Sequence, residues 1–158
     1  MMPRRRDVLL LLALLGVGIA AYLTYVAIND RVEPLCSGLG DCHTVQQSQY
    51  AKVAGIPVAA FGLAMYLALA AVLVARRVGP WREDSARSAP AAGVAALLPV
   101  WTFALALGGT LYSAYLTYLE LAVIDAICEW CVASAVTVAL ICVLSAPDVR
   151  RAAAARRG

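Results

Sequence analysis

Charge is scarce in this chain, and imidazole nearly absent. Only 15% of its 158 residues are Asp, Glu, Lys or Arg, and His43 is the single histidine. A soluble domain carries about a quarter charged residues, so an ordinary water-soluble fold is excluded. Also missing are a phosphate-cradling nucleotide loop, a flavin fingerprint and a C-x-x-C-H haem attachment site. The net charge is +3, and the basic residues flank apolar runs instead of forming a long basic face. That placement excludes nucleic acid as a partner.

What is abundant is apolar sequence, 63% of the chain. Four runs reach the length of about 20 residues that spans a bilayer core as helix. They cover residues 8–28, 57–75, about 94–119 and about 126–146, followed by a tail at 147–158. Pro99 predicts a kink in the third run. The first run follows Arg4–Arg6 but is too long for a cleaved signal peptide, and no clear A-x-A site follows it. Helices satisfy their own backbone groups in lipid. The expected fold is therefore all-α, a single integral membrane domain built as a four-helix bundle.

Lys and Arg mark the cytoplasmic side. Arg4–Arg6, then Arg76, Arg77, Arg82 and Arg87, then Arg150, Arg151, Arg156 and Arg157 all fall on one side of this arrangement, and only Arg31 and Lys52 on the other. Both termini and the 76–93 segment are thus expected in the cytoplasm, with 29–56 and 120–125 outside. Four of the five cysteines, Cys36, Cys42, Cys128 and Cys131, then lie at the outer face, where disulfides persist. Cys142 lies near the inner end and reads as a small buried hydrophobe.

Two stretches resemble each other: AAYLTYVAI at 20–28 and SAYLTYLEL at 113–121. Each precedes a cysteine pair and another helix, which fits either a parallel duplication or tyrosines of an interfacial belt.

Asp125 is a good helix N-cap type. That puts Cys128 in the first turn of the fourth helix, where free N–H groups favour a thiolate. Cys131 falls three residues on, about 4.5 Å deeper along the axis. The pair is graded, one thiol toward water and the other toward the membrane interior. In the outer loop, Gly38 and Gly40 make the Cys36–Cys42 segment supple. HTVQQSQYAKVA (43–54) reads as a short amphipathic interfacial helix with Thr44 as a possible cap, and Pro57 fits the first turn of the second span. His43 adjoins Cys42 and reads as a solvated loop histidine, or as an aid to thiol deprotonation. Thiol–disulfide exchange is the leading reading, with the two electrons passing to a lipid-soluble quinone. A structural disulfide framework and a soft-metal carrier using the same thiols remain alternatives.

The order Cys36, Cys42, Ser48, GIPVAAFG (55–62) and CEWC (128–131) resembles the vitamin K epoxide reductase family, bacterial branch, over about residues 8–146. The resemblance implies a bundle around ubiquinone or menaquinone, with no metal, in a bacterial inner membrane and with the active site on the outer side. It implies that a thioredoxin-fold, DsbA-like partner attacks Cys36, that Cys42 then attacks Cys128, and that Cys131 reduces the quinone. Because the chain ends at RRAAAARRG, that partner is expected to be a separate protein. Quinone contacts are expected from Ser48, Phe61, Met65, Leu116 and Ala135. Vertebrate members have an Asn at the position of Val58 and a Tyr at that of Ala135. Both hydrogen-bond the quinone there, so ordinary quinones are favoured here over epoxides. A DsbB-type enzyme would do the same chemistry, but with its cysteine pairs in the reverse order.

Overall fold

A computed structural model describes residues 5–29, 32–36, 38, 40–78 and 97–155. Arg4, Arg31, Arg82, Arg87, Arg156 and Arg157, used above for orientation, lie outside the described residues. The chain is mostly helical. Helix α1 covers Arg5–Ile28, the short α2 Cys42–Gln47, α3 Val58–Ala75 and α4 Leu98–Leu119. A π-helical turn, Glu120–Ile124, continues α4, and α5 runs over Glu129–Ala155. The strands β1 (Lys52–Val53) and β2 (Ile56–Pro57) pair antiparallel before α3.

Helices α1, α3 and α5 are long and apolar enough to cross a membrane. Helix α4 has 22 residues, but Gly108, Gly109, Thr110, Ser113 and Thr117 dilute its apolar character. Each long helix packs on two others, in the cyclic order α1, α3, α4, α5. Tyr66 sits fully buried where α1, α3 and α5 meet. Its hydroxyl donates to the Ser134 carbonyl at 2.8 Å, so the polar end of a buried ring is satisfied. Gly16 of α1 makes room for the ring, because a Cβ there would overlap it. Leu11, Leu111 and Val143 point outward and are 63–70% exposed. That is the pattern of helices whose outer faces meet lipid instead of water.

At the end of the molecule away from Cys36 and Cys42, ion pairs tie three helices together. Asp148 of α5 meets Arg5 at 3.2 Å and Arg76 at 2.9 Å, and Asp7 meets Arg77 at 2.7 Å. Pro147 lies inside α5, where proline removes a backbone donor and crowds the preceding turn. The Arg5 guanidinium donates to the nearby Leu144 carbonyl. With these contacts α5 continues to Ala155 instead of ending at 146 as expected from the apolar run.

Several local expectations are corrected. Pro99 produces no interior kink, because it occupies the first turn of α4, where a missing N–H costs nothing. Pro57 stands just before α3 as its N-cap residue. The loop helix ends at Gln47, and residues 48–54 are not helical. Ala54 and Gly55 both have positive φ, 51° and 82°, as a two-residue type I′ hairpin turn requires. The cap of α2 is Asp41, not Thr44: the Asp41 carboxylate accepts from the Thr44 N–H at 3.0 Å and hydroxyl at 2.6 Å. These bonds hold the Asp41 carboxyl below its ordinary range. Asp125 does not cap α5. It sits in the left-handed region at φ 55° and closes the π turn, its N–H donating to the Glu120 carbonyl.

Candidate functional site

Cys36 and Cys42 are joined as a disulfide, with Cα atoms 6.4 Å apart. Cys128, Cys131 and Cys142 carry free thiols. Cys42, Val45 and Cys128 form one buried cluster, against which Cys36, Trp130 and Cys131 pack. All four outer cysteines therefore meet, although more than 80 residues separate the pairs in sequence. Cys42 is buried and Cys36 only partly so. Cys142 stands apart, packed against the central core.

Backbone contacts hold the two pairs together. The Asp41 N–H donates to the Ile127 carbonyl at 3.0 Å. Gly40 permits this approach, since a Cβ there would run into the same carbonyl oxygen. A side-chain strap acts from the other direction. Trp130 Nε1 donates to the Leu35 carbonyl at 2.7 Å, and the Leu35 N–H donates to the Tyr22 hydroxyl at 2.8 Å. The Tyr22 and Trp130 rings lie 4.9 Å apart, within the range of attractive aromatic pairs. Both polar backbone groups of the residue preceding Cys36 are thereby engaged.

The start of α5 differs from the expected one in a way that matters chemically. The Cys128 carbonyl accepts the first helical bond, from the Val132 N–H at 3.0 Å. Cys128 is thus the N-cap residue, one step before the first turn. Its sulfur takes the place of a capping oxygen and accepts from the Cys131 N–H at 3.3 Å. An N–H aimed at sulfur from a helix N-terminus favours the thiolate. Cys128 is buried beside Cys42, while Cys131 reaches the space inside the helices.

That space is a cavity of about 310 Å³ walled by α1, α2, α3, α4 and α5. The volume is of small-molecule size. Ser48, Phe61, Met65 and Leu116 line it, together with Cys131. Ala135 is half-buried on α5, is not a lining residue, and its neighbour Ser134 lines the cavity instead. Phe61 and Met65 lie one turn apart on α3, with Leu116 contributed by α4. Met65 packs against Gly109, where any side chain would displace its sulfur. The remaining wall is largely apolar, with hydroxyls from Ser113, Thr117 and Tyr50 and an amide from Gln46. A flat ring with two carbonyl oxygens fits a lining of this kind: apolar faces for the ring and a few donors for its oxygens.

Sequence reasoning passed over Glu120. This residue is 3% exposed, lines the cavity, and its Oε2 accepts from the Cys128 N–H at 3.0 Å. Its carboxyl also takes a side-chain hydrogen bond from Cys131. Burial pushes this carboxyl above its ordinary range, and the two hydrogen bonds only partly oppose that. The available signal was an acid at the end of a long apolar run, a costly placement that marks function. The π turn that carries it is itself a form often found at functional sites.

The His43 ring bonds to the Gln47 amide of its own helix at 2.9 Å. Cys36, Cys42 and Glu129 bring their ligand atoms within 4.8 Å of one another. Two of those three are sulfurs bonded to each other here, so they offer no thiolate to a cation in this state.

The vitamin K epoxide reductase family model matches residues 8–146. The chain therefore belongs to that family. The match takes in most of each of the four long helices and both cysteine pairs, and membership makes the protein a membrane oxidoreductase.

Proposed function

We propose that this protein oxidises an extracytoplasmic thioredoxin-fold, DsbA-like partner and delivers the electrons to ubiquinone or menaquinone. It thereby drives disulfide formation outside the cytoplasm. One observation carries the reading: the four outer cysteines share a cluster, and Cys131 opens onto the apolar cavity.

The partner's thiolate attacks Cys36, the more accessible sulfur of the loop disulfide, and a mixed disulfide forms as Cys42 is released. A second partner thiol then displaces Cys36. Reduced Cys42 passes the pair of electrons to Cys128–Cys131 by exchange within the cluster, with Cys128 as the sulfur attacked. Cys131, freed as the leaving sulfur, faces the cavity. A bound quinone supplies the two-electron acceptor there. Ser48, Phe61, Met65 and Leu116 would hold its ring.

On this reading α4 crosses the membrane with the other three helices as a four-helix bundle, both termini lie in the cytoplasm, and α2 rests at the outer interface of a bacterial inner membrane. The basic residues at the start of α1 and the ends of α3 and α5 support that orientation.

The test is an assay with the purified full chain, a reduced DsbA-like protein and short-chain ubiquinone or menaquinone, following thiol loss and quinone absorbance together. Stoichiometric coupling is expected, and Cys131→Ala abolishes it. Bound metal at one equivalent with no quinone reduction would refute the reading in favour of a soft-metal carrier.

A further inference from the structure

A buried carboxyl group is costly unless its charge is compensated, and Glu120 has been placed where it meets the Cys128 backbone and the Cys131 side chain of one pair. Its Oε2 holds the Cys128 N–H at 3.0 Å, and the same carboxyl is hydrogen-bonded by the Cys131 side chain. It is the only carboxyl group lining the cavity among the described residues, and no Lys, Arg or His lines it. The π turn fixes it there. Both the Asp125 and Ala126 N–H groups converge on the Glu120 carbonyl, the latter at 3.1 Å. The extra residue in that turn swings the side chain back beneath the start of α5.

We propose that Glu120 is the proton carrier of the inner pair: its carboxylate takes the proton given up by Cys131 and releases it into the cavity as the Cys128–Cys131 disulfide forms. This rests on the thiol:quinone reading. The balance is complete within it. Two S–H bonds break and one S–S bond forms, and two electrons and two protons leave the pair for the quinone, which becomes the hydroquinone. The Cys131 proton passes first. Glu120, emptied into the cavity, is then free to take the second proton, that of Cys128, whose sulfur lies against Cys131. A single carboxyl beside Cys131, at the Cys128 N–H and on the cavity wall serves both transfers. Without it the cavity wall among the described residues holds no carboxylate or imidazole to take those protons.

The experiment compares Glu120→Gln and Glu120→Asp with the wild-type chain in detergent, using dithiothreitol as reductant and a short-chain ubiquinone. Gln keeps an acceptor for the Cys128 N–H but carries no exchangeable acid proton. Glu120→Gln is expected to slow quinone reduction about 100-fold, within the range of general acid–base effects, and Glu120→Asp to restore part of it. Disulfide exchange between the cysteine pairs, followed without quinone, should fall far less. A second readout needs no quinone at all: the pH profile of Cys131 alkylation by iodoacetamide in the reduced protein. The groups that face Glu120 are Cys128 and Cys131, and the cavity's other titratable groups are Tyr50, Tyr66 and Tyr112. An inflection below the thiol range in the wild type, absent in Glu120→Gln, is expected. Quinone reduction within threefold of wild type, an unchanged alkylation profile, or equal losses in exchange and quinone reduction would each overturn the proposal. A wild-type chain that exchanges disulfides but reduces no quinone overturns the functional reading itself. If Glu120→Gln does not fold, Glu120→Asp and the wild-type alkylation profile still decide.

Discussion

Trp130 and Leu35, 95 residues apart, are joined by an indole N–H to carbonyl bond of 2.7 Å. This bond ties the residue before Cys36 to the helix that begins at the other cysteine pair. With the Tyr22 hydroxyl on the Leu35 N–H, it makes the strap a three-part contact. Replacing Trp130 by Phe, or Tyr22 by Phe, removes one hydrogen bond each, a loss of about 1 kcal/mol. Both variants should exchange the amides around Leu35 faster. Transfer from the loop pair to Cys128 should slow several-fold, with the double variant departing from additivity because the two rings touch. Unchanged amide exchange in both single variants would mean the strap contributes nothing.

Cys42 is buried against Cys128 while Cys36 is partly open. Cys42→Ser should therefore accumulate a mixed disulfide between Cys36 and the partner, readable by mass spectrometry of the purified complex. Adducts confined to Cys42 in the converse variant, Cys36→Ser, with none at Cys36, would reverse the two roles. Cys142→Ser, far from the cluster, should leave activity within twofold.

Arg76 is 3% exposed and pairs with Asp148 at 2.9 Å. Removing one partner of a buried pair leaves a desolvated charge and costs about 3 kcal/mol or more. Asp148→Ala should lower the melting temperature in detergent by several degrees. It should also fray α5 beyond Pro147, detectable as faster amide exchange at 148–155. Because the cysteines lie at the other end, the disulfide transfer rate of the protein that remains folded should be unchanged.

The spans of α1, α3 and α5 were legible because lipid leaves a simple record in sequence: long apolar runs bounded by arginine. The meeting of the four outer cysteines was legible too, since both pairs fall at the same end of the predicted helices. The start of α5 was not. Asp125 has the composition of a cap, but the π turn ahead of it consumes that residue in a left-handed position, a backbone event no side-chain pattern announces. Cys128 then becomes its own cap. The loop helix was overextended for a similar reason, as polar residues at helical spacing continue past Gln47 while the hairpin turn at Ala54–Gly55 reverses the chain. Glu120 went unread because its partner is a backbone N–H eight residues away, reached only once the turn has formed.

Gly40 bears on this last point. The space between the two cysteine pairs is set where Gly40 meets the Ile127 carbonyl, by main chain against main chain. The electrical gap between the two halves of the protein is thus fixed by a missing side chain. A single methyl group at that position would act as a spacer, keeping every thiol in the chain while moving the two circuits out of reach of each other.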